Sequence, residues 1–213
     1  MIVCAATNNA GKLRELRRIL EKAGHTVKSL ADLGVALDPE ETGTTFAENA
    51  RIKAAAFCLA TGLPTVADDS GLCVDALGGA PGIYSARYAG GHGDDAANNQ
   101  KLLAALRDVP APQRAGRFVS AVCFMLPGMR ALVVEGECPG AIAFGLTGDN
   151  GFGYDPLFVP NEVGLPGAAA TAPNAARRSY AELTAGEKDA ISHRAKALAK
   201  LEKALPEFLG EID

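Results

Sequence analysis

Two adjacent acidic residues, Asp68 and Asp69, lie between an apolar run and a glycine-rich segment. The preceding residues 64–67, Pro-Thr-Val-Ala, are typical of a short buried strand, which predicts that both acids lie where that strand ends. Adjacent carboxylates resist being ionised together, so they commonly share a cation or a proton. Asp-Asp-Ser-Gly is also typical of an ordinary turn. From this stretch alone, a functional site and a plain turn both remain open.

The residues after the acids predict a change of direction and then close backbone approach. Ser70-Gly71 is typical of a turn, and residues 72–77 form a second predicted strand. Glycines follow at 78, 79 and 82, where the absence of a side chain would let the main chain contact a ligand closely.

A polar loop near the start of the chain is a candidate phosphate site. It follows a predicted strand at residues 1–7 and precedes an amphipathic helix that ends at Gly24. The first turn of a helix offers free N–H groups to an anion, and Lys12 lies in that turn. The loop lacks the spacing of a Walker A motif, so a solvent-exposed lysine at an ordinary helix start remains the alternative.

A second helix is predicted from the capping box of Thr45 and Glu48, and it should end at Gly62. Asn49 and Lys53 are four residues apart and therefore share a helix face. That polar stripe either points into a cleft or lies on the solvated face. The acidic loop before the helix contains Glu40 and Glu41, which are either surface charges or metal ligands.

The second half of the chain contains another glycine-dense loop, residues 148–153, which leads through Tyr154-Asp155-Pro156 to a predicted strand at 157–160. Residues 161–178 have no periodicity, and the whole stretch of about 160–178 is predicted to be a mobile surface loop. A single long helix should follow the capping box at Thr184, with Ser192, His193 and Arg194 interrupting its buried stripe.

The order of predicted elements indicates an α/β fold. Strands alternate with helices in the first half, a helix is predicted at 94–109, and strands at 117–126 and 131–137 form a hairpin around Pro127-Gly128. A mixed sheet flanked by helices accommodates this order. With 213 residues, of which 48% are hydrophobic, residues 1–213 are expected to form a single domain, with or without two lobes.

The composition of the chain excludes some classes of binding partner and indicates a cellular compartment. The net charge is −4 and no long run of Lys or Arg occurs, so nucleic acid is not an expected partner. The five cysteines form no Cys-x-x-Cys pair and are predicted to be reduced, buried thiols of a cytoplasmic protein. No apolar run approaches the ~20 residues of a membrane span, and the N-terminus lacks a signal-peptide pattern.

Several motifs occur together and in order: TNNAGK at 7–12, EETGTTFAENARIKA at 40–54, ADDSGLCVDALGGAPGIYSARYAG at 67–90, FGYDPLF at 152–158, and SYAEL and ISHRAKAL near the end. In this pattern the chain closely resembles the inosine/xanthosine triphosphate pyrophosphatases, which hydrolyse non-canonical purine nucleoside triphosphates (ITP, dITP and XTP) to the monophosphate and pyrophosphate. The resemblance covers nearly the whole chain except about 160–178. It implies a Mg²⁺-dependent homodimer with an elongated mixed β-sheet, two lobes and a nucleotide cleft between them.

The resemblance assigns phosphate chemistry to the first half. Lys12 and Lys53 would neutralise the triphosphate, together with the backbone of Thr7, Asn8, Asn9, Ala10 and Gly11. Mg²⁺ would be held by Glu41, Asp68 and Asp69. Asp69 would also be the general base for a water that attacks the α-phosphorus, and Ser70 would donate to a phosphate or orient the acids.

Base recognition is assigned to the second half. Phe152 would stack on the purine, with Gly153 and Tyr154 in the same segment, while Asp155, His193 and Arg194 would contact its edge. Arginine is a donor only, which suits a 6-keto purine and leaves donor facing donor when the base is adenine. The family commonly has a nucleotide-binding lysine before the Ala-Glu-Leu segment, and Arg178 stands at the corresponding place, beside Arg177.

Other functions compete with this one. A related house-cleaning pyrophosphatase for modified pyrimidine or methylated guanine nucleotides would share the phosphate end and differ at the base-recognition residues. A nucleotide-binding sensor without catalysis has little need for paired acids. A serine hydrolase centred on Ser70 is disfavoured because no Gly-x-Ser-x-Gly elbow surrounds it.

Overall fold

The computed structural model describes residues 1–91, 93–165 and 170–210. These residues form five α-helices and eight β-strands. The helices are α1 Ala10–Lys22, α2 Phe46–Thr61, α3 Asp95–Ala105, α4 Ala185–Asp189 and α5 His193–Gly210. The strands are β1 Ile2–Ala5, β2 Thr26–Ser29, β3 Thr65–Val74, β4 Ala115–Met125, β5 Ala131–Ile142, β6 Phe158–Pro160, β7 Glu162–Gly164 and β8 Thr171–Pro173.

Six strands form one sheet in the order β2-β1-β3-β4-β5-β6. β1 pairs in parallel with β2 and β3, whereas β5 and β6 are antiparallel. The connection from β4 to β5 is a tight turn in which the Leu126 and Arg130 main chains hydrogen-bond. The predicted mixed sheet and its hairpin are therefore confirmed, with helices packed beside the strands.

The chain divides into two compact units, each with its own hydrophobic core. Unit 1 contains residues 1–69, 120–136 and 196–213, and its core includes Val3, Leu16, Leu20, Phe124, Leu198 and Leu201. Unit 2 contains residues 70–119 and 137–195, and its core includes Leu72, Leu102, Leu106, Phe118, Phe158 and Tyr180. β3, β4 and β5 each contribute residues to both units.

The predicted starts of the first two helices are confirmed by their caps. Asn9 caps α1, its side chain accepting a hydrogen bond from the Lys12 N–H at 3.0 Å. Thr45 and Glu48 form the capping box of α2, and Gly62 ends that helix in the left-handed conformation at φ +66°. Each cap binds helix N–H groups that would otherwise lack a partner.

The predicted turn at Ser70-Gly71 is wrong. Residues 65–74 form one continuous strand, so Asp68 and Asp69 lie within β3 and not at its end. Val66, Leu72 and Val74 are fully buried on either side of the polar residues. Burial and sheet pairing outweigh the local turn preference, which is the usual reason a strand contains turn-type residues.

The prediction of one long C-terminal helix is also wrong. α4 ends at Asp189, and α5 begins at His193 after a break at residues 190–192. The Ser192 hydroxyl oxygen accepts the Ala195 N–H at 3.1 Å, as the cap of a new helix does. His193 and Arg194 therefore lie in the first turn of α5.

The stretch predicted to be a loop without regular structure contains two short strands, and its mobility stays a prediction. β7 and β8 pair antiparallel, and the Asn174 side-chain amide donates to the carbonyls of Pro160 at 3.0 Å and Arg178 at 2.8 Å. These bonds fix the segment because they satisfy main-chain groups at both of its ends. Residues 166–169 of the predicted loop lie outside the described residues.

The five cysteines are free thiols, four of them buried and Cys73 half-buried. Burial raises the pKa of both Cys4 and Cys123 to about 11, which keeps these thiols protonated and unreactive at neutral pH. Within the described ranges, no helix is both long and apolar enough to cross a membrane.

Candidate active site

Five charged side chains of unit 1 form a carboxylate–lysine cluster: Glu41, Asp68, Asp69, Lys12 and Lys53. The Lys12 ammonium lies 3.0 Å from an Asp68 carboxylate oxygen. The Lys53 ammonium lies 2.9 Å from Glu41 and 3.0 Å from Asp69. Asp68 and Asp69 are only 3% and 8% exposed, so these ion pairs are far less screened than surface pairs.

Two helices and one strand position the cluster. Lys12 lies in the first turn of α1, whose amides are partly bound already, since Asn9 accepts from Lys12 N–H and Thr7 Oγ1 accepts from Asn9 N–H. Asn8 and Ala10 are exposed and Gly11 is half-buried. Lys53 projects from α2 toward Asp69 of β3.

Asn49, one turn before Lys53, secures the segment that carries Glu41. Its side-chain oxygen accepts the Gly43 N–H at 2.8 Å, and the Asn49 side chain is fully buried. A Cβ on Gly43 would lie 2.6 Å from that oxygen, so a side chain there would break the contact. Of the two alternatives for the Asn49/Lys53 stripe, the structure therefore supports the buried, inward-facing one.

Each of the two adjacent acids forms an ion pair with a different lysine. Neighbouring positions of a strand point to opposite faces, and each acid has a lysine from a different helix, Asp68 from α1 and Asp69 from α2. The acid that shares a cation with Asp69 is Glu41, through Lys53. The expectation from the sequence that Asp68 and Asp69 share a bound cation or a proton stays a prediction.

The environment perturbs the two groups at the centre of the cluster. Burial raises the pKa of Asp69, Glu41 reinforces that rise, and Lys53 opposes it without cancelling it. For Lys53, burial lowers the pKa, but attraction to Asp69, Asp68 and Glu41 outweighs burial and the net pKa is raised. A buried acid with an elevated pKa is a common feature of catalytic bases.

The cluster also has the ligand chemistry for a hard cation. Oδ2 of Asp69 is buried and accepts no hydrogen bond from the described residues. Carboxylate oxygens are the preferred ligands of Mg²⁺ and Ca²⁺. Among the described residues, no three His, Cys, Asp or Glu side chains already converge as a metal site, because lysines stand between the acids. The residues therefore fit a divalent cation once Lys53 moves away from Asp69.

An aromatic–cation cluster in unit 2 consists of Phe152, Asp155, Tyr180 and Lys188. The Lys188 ammonium lies 2.5 Å from Asp155 Oδ2, 5.3 Å from the centre of the Phe152 ring and 4.9 Å from that of Tyr180. The Phe152 ring is 54% exposed and thus has a free face for stacking. Sequence reasoning did not identify Lys188 as a candidate site residue. Its spacing along the chain is the same as that of an ordinary solvent-exposed lysine on a helix.

Asp155 also shapes the glycine-dense loop. Its Oδ2 accepts the Phe152 N–H at 3.0 Å, and a Cβ on Gly151 would overlap that carboxylate. The Tyr154 side chain is buried, and its hydroxyl donates to the Ser85 carbonyl at 2.9 Å. The predicted base contacts of Asp155 and Tyr154 stay predictions, and both side chains are already used to hold the loop.

Arg178 has a partner of its own. Its guanidinium lies 2.7 Å from Glu187, whose carboxylate also accepts the Thr184 N–H at the start of α4. These bonds depress the pKa of Glu187 to about 2, Arg178 being the largest cause. The cation that the structure places beside Phe152 is Lys188, and the proposed nucleotide contact of Arg178 stays a prediction.

The start of α5 brings two more predicted residues together with Ser70. His193 is 6% exposed and stacks on Phe118 at a ring distance of 4.9 Å. Arg194 is 7% exposed and donates to the Ser70 hydroxyl at 3.2 Å. The first turn of α5 therefore directs both the His193 and the Arg194 side chains into the protein, since solvent-facing side chains would be exposed.

Residues 3–204 match the model of the Ham1 family. The chain is 52% identical over 206 residues to the dITP/XTP pyrophosphatase of Nocardia farcinica, covering 95% of this chain and 94% of that protein. It is 46% identical over 200 residues to the Bacillus subtilis protein of the same name, covering 94% of each.

Solved structures agree with these sequence relatives. A HAM1 protein from Coxiella burnetii superposes with a TM-score of 0.84 at 38% identity, covering 97% of this chain and 99% of that one. A nucleoside-triphosphatase, dITP/XTP pyrophosphatase, from Mycobacterium abscessus gives 0.75 at 47% identity, covering 94% and 98%. With a family model that matches nearly its whole length and relatives near 50% identity, the chain belongs to the Ham1 family.

Proposed function

We propose that the chain hydrolyses non-canonical purine nucleoside triphosphates, ITP, dITP and XTP, to the monophosphate and pyrophosphate. The printed names of the relatives support the reaction and substrate class. The observation in this chain that carries the proposal is the carboxylate–lysine cluster, where Asp69, a buried acid of raised pKa, pairs with Lys53 beside the Asp68–Lys12 ion pair.

The lysines of that cluster suit a polyphosphate. Lys12 and Lys53 are both held by carboxylates, so they are positioned before any ligand arrives. A triphosphate brings about four negative charges and would compete with those carboxylates for the ammonium groups. Binding would then free the acids to hold a cation and to accept a proton.

Mg²⁺ is the proposed cofactor, held by Glu41, Asp68 and Asp69. When bound, it would neutralise phosphate charge and stabilise the departing pyrophosphate. Asp69 would accept the proton of the water that attacks the α-phosphorus, because a raised pKa improves a carboxylate as a general base near neutral pH. Ser70, bonded to Arg194, would donate to a phosphate.

Base recognition is proposed for unit 2. The exposed face of Phe152 would stack on the purine, while Arg194 and Lys188 supply donors suited to a 6-keto oxygen. Sites that recognise a base by such hydrogen bonds reject mismatched analogues by factors of about 10⁴ or more. The homodimer and the cytoplasmic location expected from the sequence stay predictions.

The proposal is tested by hydrolysis of ITP, XTP, ATP, GTP and dTTP side by side, with and without Mg²⁺, identifying the released product. We expect Mg²⁺-dependent release of pyrophosphate from ITP and XTP, at a kcat/KM about 10² or more above that for ATP. Release of orthophosphate would contradict the proposed hydrolysis to the monophosphate and pyrophosphate. A preference for modified pyrimidine or methylated guanine nucleotides would support the related house-cleaning activity instead.

Substitution of Lys188 and of Arg178 should separate their roles. We expect Lys188→Ala to raise KM for ITP by about 10-fold or more, because a charge-assisted hydrogen bond contributes about 1.5–3 kcal/mol. Arg178→Ala should change KM far less and lower the thermal midpoint, since its described partner is Glu187 of the α4 cap. A larger rise in KM for Arg178→Ala than for Lys188→Ala would instead support the prediction from the sequence that Arg178 binds the nucleotide.

A further inference from the structure

Helix α3 contacts the glycine-dense loop through two side chains. Asp95 Oδ2 accepts the Gly153 N–H at 2.7 Å, and Asn99 Nδ2 donates to the Gly153 carbonyl at 2.8 Å. The two residues are four apart, which places them on one face of the helix. Both main-chain polar groups of Gly153 are therefore bound by one rigid element.

This contact fixes a backbone that would otherwise be mobile. Gly153 adopts φ +61°, and a Cβ there would contact nothing, so packing does not restrain it. Glycine has the greatest conformational freedom of any residue. With the Phe152 N–H held by Asp155 and the Tyr154 hydroxyl held by Ser85, the two α3 bonds complete the restraint of residues 152–155.

The chemistry of Asn99 indicates a positioning role. Its side chain is 6% exposed, and among the described residues its Oδ1 accepts no hydrogen bond. A buried acceptor without a donor destabilises the fold, so an apolar residue of similar size would serve packing better. Asn99 supplies an N–H donor for the Gly153 carbonyl, which an apolar residue cannot do.

We propose that Asp95 and Asn99 form a clamp that positions the Phe152–Asp155 loop for recognition of the purine base, an inference that rests on the proposed function. The clamp holds the Phe152 ring before the base arrives, so binding does not have to order the loop. Asp95 and Asn99 act through Gly153 and Phe152. Neither is assigned a contact with the nucleotide.

The matched pair Asn99→Asp and Asn98→Asp tests the clamp. Asn98 is also buried on α3, but its oxygen accepts the Ala89 N–H at 2.7 Å, away from the glycine-dense loop. Both substitutions are isosteric and bury a carboxylate. We expect Asn99→Asp to raise KM for ITP about tenfold with kcat within about threefold, and to weaken binding of inosine monophosphate by a similar factor in calorimetry. Asn98→Asp should alter thermal stability and leave both binding values unchanged.

Asp95 gives a second test that does not disturb the core, because its side chain is exposed. Asp95→Ala should raise KM for ITP, whereas Asp95→Asn, which keeps an acceptor oxygen for the Gly153 N–H, should restore the wild-type value. A wild-type enzyme that fails to prefer ITP contradicts the proposed function and, with it, this role of the clamp. If the wild type prefers ITP but Asn99→Asp matches Asn98→Asp in KM and binding, the clamp alone is wrong.

Discussion

Replacement of Asp69 by asparagine is expected to lower kcat for pyrophosphate release from ITP by about 10²–10⁴, the usual contribution of a general base. The side chain keeps its shape but can no longer take a proton. Nucleotide binding should persist, with the dissociation constant for ITP within about threefold of wild type. Steady-state kinetics and titration calorimetry measure the two quantities separately.

The fold should tolerate this substitution. Lys53 keeps a second partner, Glu41 at 2.9 Å, so Asp69→Asn does not leave a buried ammonium without a carboxylate. Burial raises the pKa of Asp69, which means that the site already disfavours its charge, and a neutral amide removes that penalty. We therefore expect a thermal midpoint equal to or above that of the wild type.

Asp75→Asn is a suitable control because Asp75 is an exposed acid, paired with the exposed Arg117 at 3.4 Å. Its kcat should equal that of the wild type. If Asp69→Asn instead loses binding and turnover by the same factor, Asp69 is chiefly a metal ligand or a structural residue. The proton acceptor would then have to be sought elsewhere in the cluster.

Local sequence rules predicted the elements whose signals lie within a few residues. The Thr45–Glu48 box and the Pro127-Gly128 hairpin depend on short-range hydrogen bonds and backbone preferences, and both were confirmed. Lys12 and Lys53 could be singled out as candidate site residues for the same reason, since each follows a recognisable helix start.

The failures have other causes. Ser70-Gly71 has strong turn preference, yet burial on both sides keeps it inside β3. The break before His193 follows from a serine cap that local periodicity does not distinguish from a continuing helix. Lys188 gains its significance from Asp155, 33 residues earlier, a contact that no spacing rule encodes. Burial of Ser70-Gly71 and the Lys188–Asp155 contact depend on residues distant in sequence, whereas the Ser192–Ala195 bond is local and is hidden by the apolar periodicity that continues across it.

Arg114 is expected to be among the most important single residues for stability. The residue is 2% exposed, and its guanidinium donates to the carbonyls of Leu106 at 2.7 Å, Val109 at 3.4 Å, Ile142 at 2.9 Å and Ala143 at 2.8 Å. One side chain thus joins the end of α3 to the end of β5. A positive charge also interacts favourably with the carboxyl end of a helix.

Arg114→Met should therefore lower the free energy of unfolding by about 3–5 kcal/mol, because it leaves several buried carbonyls without a donor. For a chain of this size, that loss corresponds to a fall of roughly 10 °C in the thermal midpoint. Arg114→Lys should give an intermediate loss, since a single ammonium cannot reach acceptors in four directions.

Arg117→Met is the matched control for this prediction. It removes an arginine three residues further along the chain, in β4, but the Arg117 side chain is 43% exposed and its partners, Asp75 and Glu137, are also exposed. Exposed ion pairs contribute about 0–1 kcal/mol, so its thermal midpoint should fall by only a few degrees. Equal midpoints for Arg114→Met and Arg117→Met would mean that the carbonyls find other donors and that Arg114 is not the link between α3 and β5. A clear difference would also support the role of α3 in holding the Phe152–Asp155 loop. Arg114 anchors the carboxyl end of this helix, and Asp95 and Asn99 lie in its first half.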